Sequence, residues 1–133
     1  MTMIYYLLAE HDPIDDWHLN ISDIMHVHVR GASMHYYLIH PNGSLEHHVM
    51  GQNLEKGETM ALLVPGGVWK AVALEEKQEY GLITESVTPG FDYKDMKMAS
   101  YEEMIQKFPQ HAGVVDMLRE RKMKSNELKE KLQ

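Results

Sequence analysis

Turn chemistry recurs along most of this chain at intervals that suit short strands. Asp12-Pro13, Gly31, Pro41-Asn42-Gly43, Gly57, Pro65-Gly66-Gly67 and Pro89-Gly90 break it up. Gly and Pro at such places supply backbone geometries that other residues resist, or end a hydrogen-bonded ladder. Between the breaks lie residues 3–8, 25–29, 34–40, 44–50, 59–64, 69–74 and 80–87, rich in Val, Ile, Leu, Tyr and Met. Such runs read as strands. Pro-Asn-Gly between two of them is a hairpin signal. So many short strands in succession predict a sandwich or barrel, architectures that remove their own exposed edges.

The last quarter is built differently. Residues 101–108 read as a short helix with Ser100 as N-cap and Glu103 three residues on, the spacing of a capping box. Pro109 ends it. A second helix is expected from about 111 to about 132, with Val114, Val115 and Leu118 giving its start an apolar face. Beyond Arg119 the pattern is mostly charged, and residues 119–133 are expected to be solvated or frayed, with no functional signal. The expected organisation is a barrel over residues 1–100 and a helical extension over 101–133, together one domain of 133 residues.

Charge narrows the partners. Residues 1–100 hold 6 Lys and Arg against 14 Asp and Glu, and so acidic a body repels a phosphate backbone, which argues against nucleic acid. No apolar run approaches the length of a membrane span. The N-terminus lacks the basic start and apolar stretch of a signal peptide. With no cysteine in the chain, a cytoplasmic location is the expectation.

Three segments carry a resemblance: TMIYYLL at 2–8, VPGGVWKAV at 64–72 and, most specifically, SVTPGFDY at 86–93. Together they resemble the small cupins of the DUF985 family, named as sugar-epimerase-like proteins. The likeness covers roughly residues 2–118. It implies an all-β double-stranded β-helix, the cupin jelly roll, with a site at the barrel mouth and a homodimeric assembly. The family usually opens with a His-Pro-Glu-Gly-Gly segment that this chain lacks, and an edge left by that missing strand would suit a second subunit.

Cupins that bind metal do so through two motifs. By the resemblance, Trp17-His18, Ser22-Asp23 and Gly31 belong to the first, and Gly57, Pro65-Gly66-Gly67 and Lys70 to the second. Asp16 and His18 then stand at the usual His pair, Ile24 at the acid and Lys70 at the last His. That set leaves one imidazole, too few for a divalent ion, so no cofactor is favoured. A substitute metal site remains as an alternative, because His26 and His28 share a strand face and join His18 if that face is the interior.

Proton transfer next to a carbonyl needs a base of near-neutral pKa and an acid. His18 with Asp23 is expected to supply the base and Tyr93 or Tyr36 the acid. His26, His28, Tyr36, Trp69 and Lys70 are the expected ligand-binding residues. Trp69 is weighed between stacking on a ring and filling the core. Lys70 is weighed between reaching solvent and meeting an anionic ligand group, since an unpaired buried ammonium is costly. Three readings follow: a cupin binding a small polar ligand, sugar-like or anionic; a sugar-nucleotide epimerase or isomerase with His18 as base; or a metal-dependent enzyme.

Overall fold

A computed structural model describes residues 1–132; Gln133, the last residue of the expected extension, lies outside them. Nine strands form two antiparallel sheets: β1 (Thr2–Ala9), β2 (Ile14–Asn20), β3 (Asp23–Gly31), β4 (Met34–Ile39), β5 (Leu45–Met50), β6 (Ala61–Val64), β7 (Trp69–Leu74), β8 (Tyr80–Thr88) and β9 (Met96–Met98). One sheet runs β1-β8-β3-β6 and the other β5-β4-β7-β2-β9. Helices α1 (Tyr101–Lys107) and α2 (Ala112–Leu132) follow. The architecture is the expected jelly roll with a C-terminal helical part.

Two strands escaped the sequence reading. β2 is IDDWHLN and β9 is MKM; both mix charged and apolar residues too evenly to stand out as β-rich runs. β7 fills the middle of its sheet between β4 and β2, and each of its six residues is buried. Its alternate side chains serve different cores. Trp69, Ala71 and Ala73 join Ile14, Trp17 and Ile39 beneath Met104, Val115 and Leu118 of the helices, while Val72 and Leu74 pack inside the barrel with Leu8, Met34, Tyr36, Met50 and Ile83.

The capping box at α1 is present, with the Ser100 hydroxyl accepting from the Glu103 amide and the Glu103 carboxylate accepting from the Ser100 amide. α2 corrects the expectation of fraying, although most of its residues beyond Arg119 are exposed to solvent as expected. It stays helical to Leu132 and is tied down by its cations: Arg121 Nη2 donates to the Leu74 carbonyl at 2.7 Å, Lys122 Nζ to the Ile14 carbonyl at 3.3 Å, and Lys129 pairs with Asp12 at 3.3 Å. A charged helix end can dock when each cation finds a carbonyl or carboxylate at a strand end; hydropathy does not register that. His111 adds a further tie, donating to the Gly43 carbonyl in the β4–β5 hairpin at 2.7 Å.

Gly66 is required where it stands. A Cβ there would lie 2.1 Å from the Ile21 carbonyl oxygen, so the β6–β7 turn can press against the β2–β3 turn only without a side chain.

Candidate active site in the barrel

A β-bulge builds the site. In the pairing of β2 with β7, Asp15 lies opposite Val72 and His18 opposite Lys70, so two residues of β2 face one of β7. Regular alternation would send Asp15 and His18 to opposite faces; the extra residue brings both to the inside. Trp17 turns outward into the core under the helices. Asp16 also turns out, its carboxylate 3.5 Å from Lys122 Nζ.

His18 is 8% exposed. Its Nδ1–H donates to the Asp16 carbonyl at 2.7 Å, with Asp15 Oδ1 3.8 Å from the same nitrogen. That bond sets the neutral ring's tautomer and leaves Nε2 as the basic nitrogen, with no hydrogen bond to protein among the described residues. The Asp15 carboxylate also accepts from the Tyr6 hydroxyl. Burial raises the Asp15 carboxyl above the usual carboxylate range, against the pull of His18 and Lys70.

Behind this pair lies a second set of polar groups. Lys70 is 1% exposed and His26 fully buried. Lys70 Nζ donates to His26 Nε2 at 3.0 Å; His26 Nδ1 stands 2.9 Å from the Tyr36 hydroxyl and 3.3 Å from Glu85 Oε1. Burial first, and then the Lys70 ammonium, push the His26 imidazolium down to about 4, so the ring is neutral and accepts from the lysine. Burial would raise the Glu85 carboxyl, but the hydrogen bond from His26 and the Lys70 charge outweigh it and hold it at about 2. Lys70 is itself pushed down by burial and held up by Glu85 and Asp15. A buried ammonium is sustained here by carboxylates on its own side of the sheets.

The cavity in front measures about 360 Å³ and is lined by Thr2, Ile4, Tyr6, Asp15, His18, Asn20, Ile24, Glu85, Val87, Phe91, Tyr93, Met96 and Met98. Most of its wall is apolar, with polar groups converging at Asp15, His18, Glu85 and Tyr6, the pattern of a small-molecule site. Phe91 and Tyr93 stand in edge-to-face contact with centroids 5.0 Å apart, and Tyr93 is 80% exposed, which puts it at the mouth.

The structure sorts the sequence expectations. His18 and Tyr93 line the cavity. Asp23 does not partner His18: it is exposed, and its carboxylate accepts from the Gly66 amide at 2.8 Å, so its work is to hold a turn. The carboxylate beside His18 is Asp15. Trp69 faces away from the barrel into the core under the helices, with Lys107 Nζ 5.1 Å from its ring centroid. Tyr36, His26 and Lys70 do not line this cavity; Lys70 does not reach solvent, and its ammonium is turned to His26. His28 faces inward as well, but its Nε2 donates to the Ala32 carbonyl at 3.0 Å and it lies away from the cavity. Among the described residues the trio His18, His26 and His28 is not gathered around one point, and the Lys70 ammonium lies against His26 Nε2. Among the described residues no three His, Asp or Glu side chains are placed to hold one ion.

Asp15, Tyr6 and Glu85 were missed. Glu85 was legible, as the one polar residue on the apolar face of 81, 83, 85 and 87 in β8. Asp15 was hidden by the bulge, because alternation assigns it the wrong face.

The chain matches the profile of the Cupin superfamily (DUF985) over residues 1–99. It is 38% identical over 108 residues to the uncharacterized protein YML079W of Saccharomyces cerevisiae, a match covering 79% of this chain; the chain spans about half (53%) of that relative's length. Protein SO0799 of Shewanella oneidensis is similar in structure, with a TM-score of 0.82 and 32% identity over 87% of this chain and 72% of that one. The dTDP sugar isomerase of Desulfovibrio desulfuricans shares the fold, with a TM-score of 0.63 and 14% identity over 74% of this chain and 64% of that one. Among the described residues no helix is long and apolar enough to cross a membrane. Jelly-roll topology, the Pro-Gly-Phe-Asp segment beside the cavity and the profile match agree: the chain belongs to the DUF985 family of the cupin superfamily.

Proposed function

We propose that the barrel binds a small sugar-like molecule and that His18 moves a proton on it. The observation that carries this reading is the fixed His18 tautomer, with Nδ1 tied to the Asp16 carbonyl and Nε2 left for the cavity. A base next to a carbonyl needs its acceptor nitrogen presented in one orientation and a polar neighbour to steady the charge it gains; Asp15, at 3.8 Å, is that neighbour. A cavity of about 360 Å³ suits a single hexose ring rather than a whole nucleotide sugar. Tyr93, at the mouth, is the acid in this proposal. The fold likeness to a dTDP sugar isomerase is consistent with carbonyl chemistry.

The test is solvent-deuterium incorporation into D-fructose and a 4-keto-6-deoxyhexose, followed by NMR. Exchange at the carbon beside the carbonyl is expected with the native chain and is lost in His18→Gln. Equal exchange in that variant, or none with the native chain, removes the proton-transfer role and leaves binding alone.

The reading includes a second copy of the chain. On the outer face of the β1-β8-β3-β6 sheet, Met3, Ser86, Met25 and Leu63 form one cross-strand row and Tyr5, Thr84, Val27 and Ala61 the next. Neither row contains a charge, although the chain carries a net charge of −7. An uncharged face on an acidic protein is matched best by its own copy across a two-fold axis, where no charge on the partner is stripped of water.

A further inference from the structure

The cavity wall contains two carboxylates and no lysine or arginine. That is unexpected in a cavity built around a buried lysine, and it follows from where Lys70 spends its charge: on His26, 3.0 Å away behind the wall, and not on the open space.

From this arrangement we infer that the molecule taken up by the barrel is a small polyol bearing an ammonium group, and that phosphorylated sugars are excluded. The inference deepens the sugar-binding reading and rests on it. Three features support it independently. Glu85 and Asp15 both line the cavity, and the single ammonium behind them leaves one negative charge without a partner when His18 is neutral. His18 turns Nε2, which has no protein donor, to the same space, where it can accept from an N–H of the ligand. The rest of the wall is mostly apolar and contributes no lysine or arginine, so a phosphate brought in would meet the two carboxylates at short range.

Proton affinities point the same way. Glu85 is ionised throughout the neutral range, held at about 2, whereas burial raises Asp15. An arriving ammonium is what would keep both ionised together.

The test uses the whole chain, labelled with ¹⁵N, titrated with D-glucosamine, D-glucose and D-glucose 1-phosphate while the amides of Asn20, Ile24 and Val87 are followed. D-glucosamine is expected to bind roughly tenfold more tightly than D-glucose, and D-glucose 1-phosphate to leave the cavity amides unmoved. In Glu85→Gln, checked for folding by its dispersed amide spectrum, the ratio of D-glucosamine to D-glucose affinity is expected to fall towards one; Asp15→Asn serves as the second variant. Equal binding of D-glucosamine and D-glucose, or binding of the phosphate, overturns the inference and leaves the sugar-binding reading intact. If none of the three shifts the cavity amides, both are overturned.

Discussion

On its outer side the five-stranded sheet carries Ile14, Trp17, Ile39, Trp69 and Ala71, and the chain covers them with α1 and α2. The four-stranded sheet carries Met3, Tyr5, Leu7, Met25 and Leu63 on its outer side, and these are 40–68% exposed. Both faces are apolar; only one is covered by the chain itself. Each sheet therefore behaves as a half-finished sandwich, apolar on two sides, and the two are completed by different means. A helix completes the first within the chain. The second is left open by this chain, and on the uncharged rows described above a second copy is proposed to cover it. The site lies between the sheets, so its floor depends on both.

Breaking the covered face should have the largest effect. Leu118→Asp places a charge among Trp17, Trp69 and Val115 and is expected to cost about 4 kcal/mol, read as a fall in the urea midpoint. A loss under ~1 kcal/mol would mean that the helix is an accessory and the sheet stands without it.

Acid should loosen the floor between the sheets. The unfolded chain takes up a proton at His26 near its ordinary value of 6.5, whereas the folded chain does so only near 4. Stability is then full above pH 6.5 and falls as pH drops from 6.5 towards 4, by ~3 kcal/mol in total from this group. Glu85, held at about 2 rather than 4.5, adds a further loss from about pH 4.5 downward. Urea denaturation across that range checks this, with His26→Asn expected to flatten the upper part of the slope.

The bare face gives a sharper contrast. Thr84→Lys lies in the middle of the uncharged rows and is expected to weaken association by roughly 2 kcal/mol while changing the stability of each chain by less than ~1 kcal/mol. Light scattering reads the mass of both forms. A native chain that is already monomeric at tens of micromolar refutes the second-copy proposal. The smallest effect is expected at the far end of the covering helix. Lys122→Ala removes the contacts to Ile14, Asp12 and Asp16 and should cost about 0.5–1 kcal/mol.

Some of this was written in the chain as pattern. Turn residues at strand ends, the Ser100–Glu103 capping box and the alternation in β8 are local, and each acts through its own neighbours along the backbone. They sufficed for a sandwich or barrel and the two helices, while the family resemblance supplied the jelly roll and pointed to His18. What only the folded molecule decided depends on register and on contacts across the chain. One extra residue in β2 exchanged Asp16 for Asp15 beside His18. The pairing of β7 turned Trp69 outward and Lys70 inward, and His26 then took the lysine's hydrogen bond behind the cavity wall. Asp23, next in line as the partner of His18, went instead to Gly66, 43 residues away in sequence. A side chain's type is fixed by its codon, but its face is set by the strand laid beside it, and the chemistry of this cavity is a matter of faces.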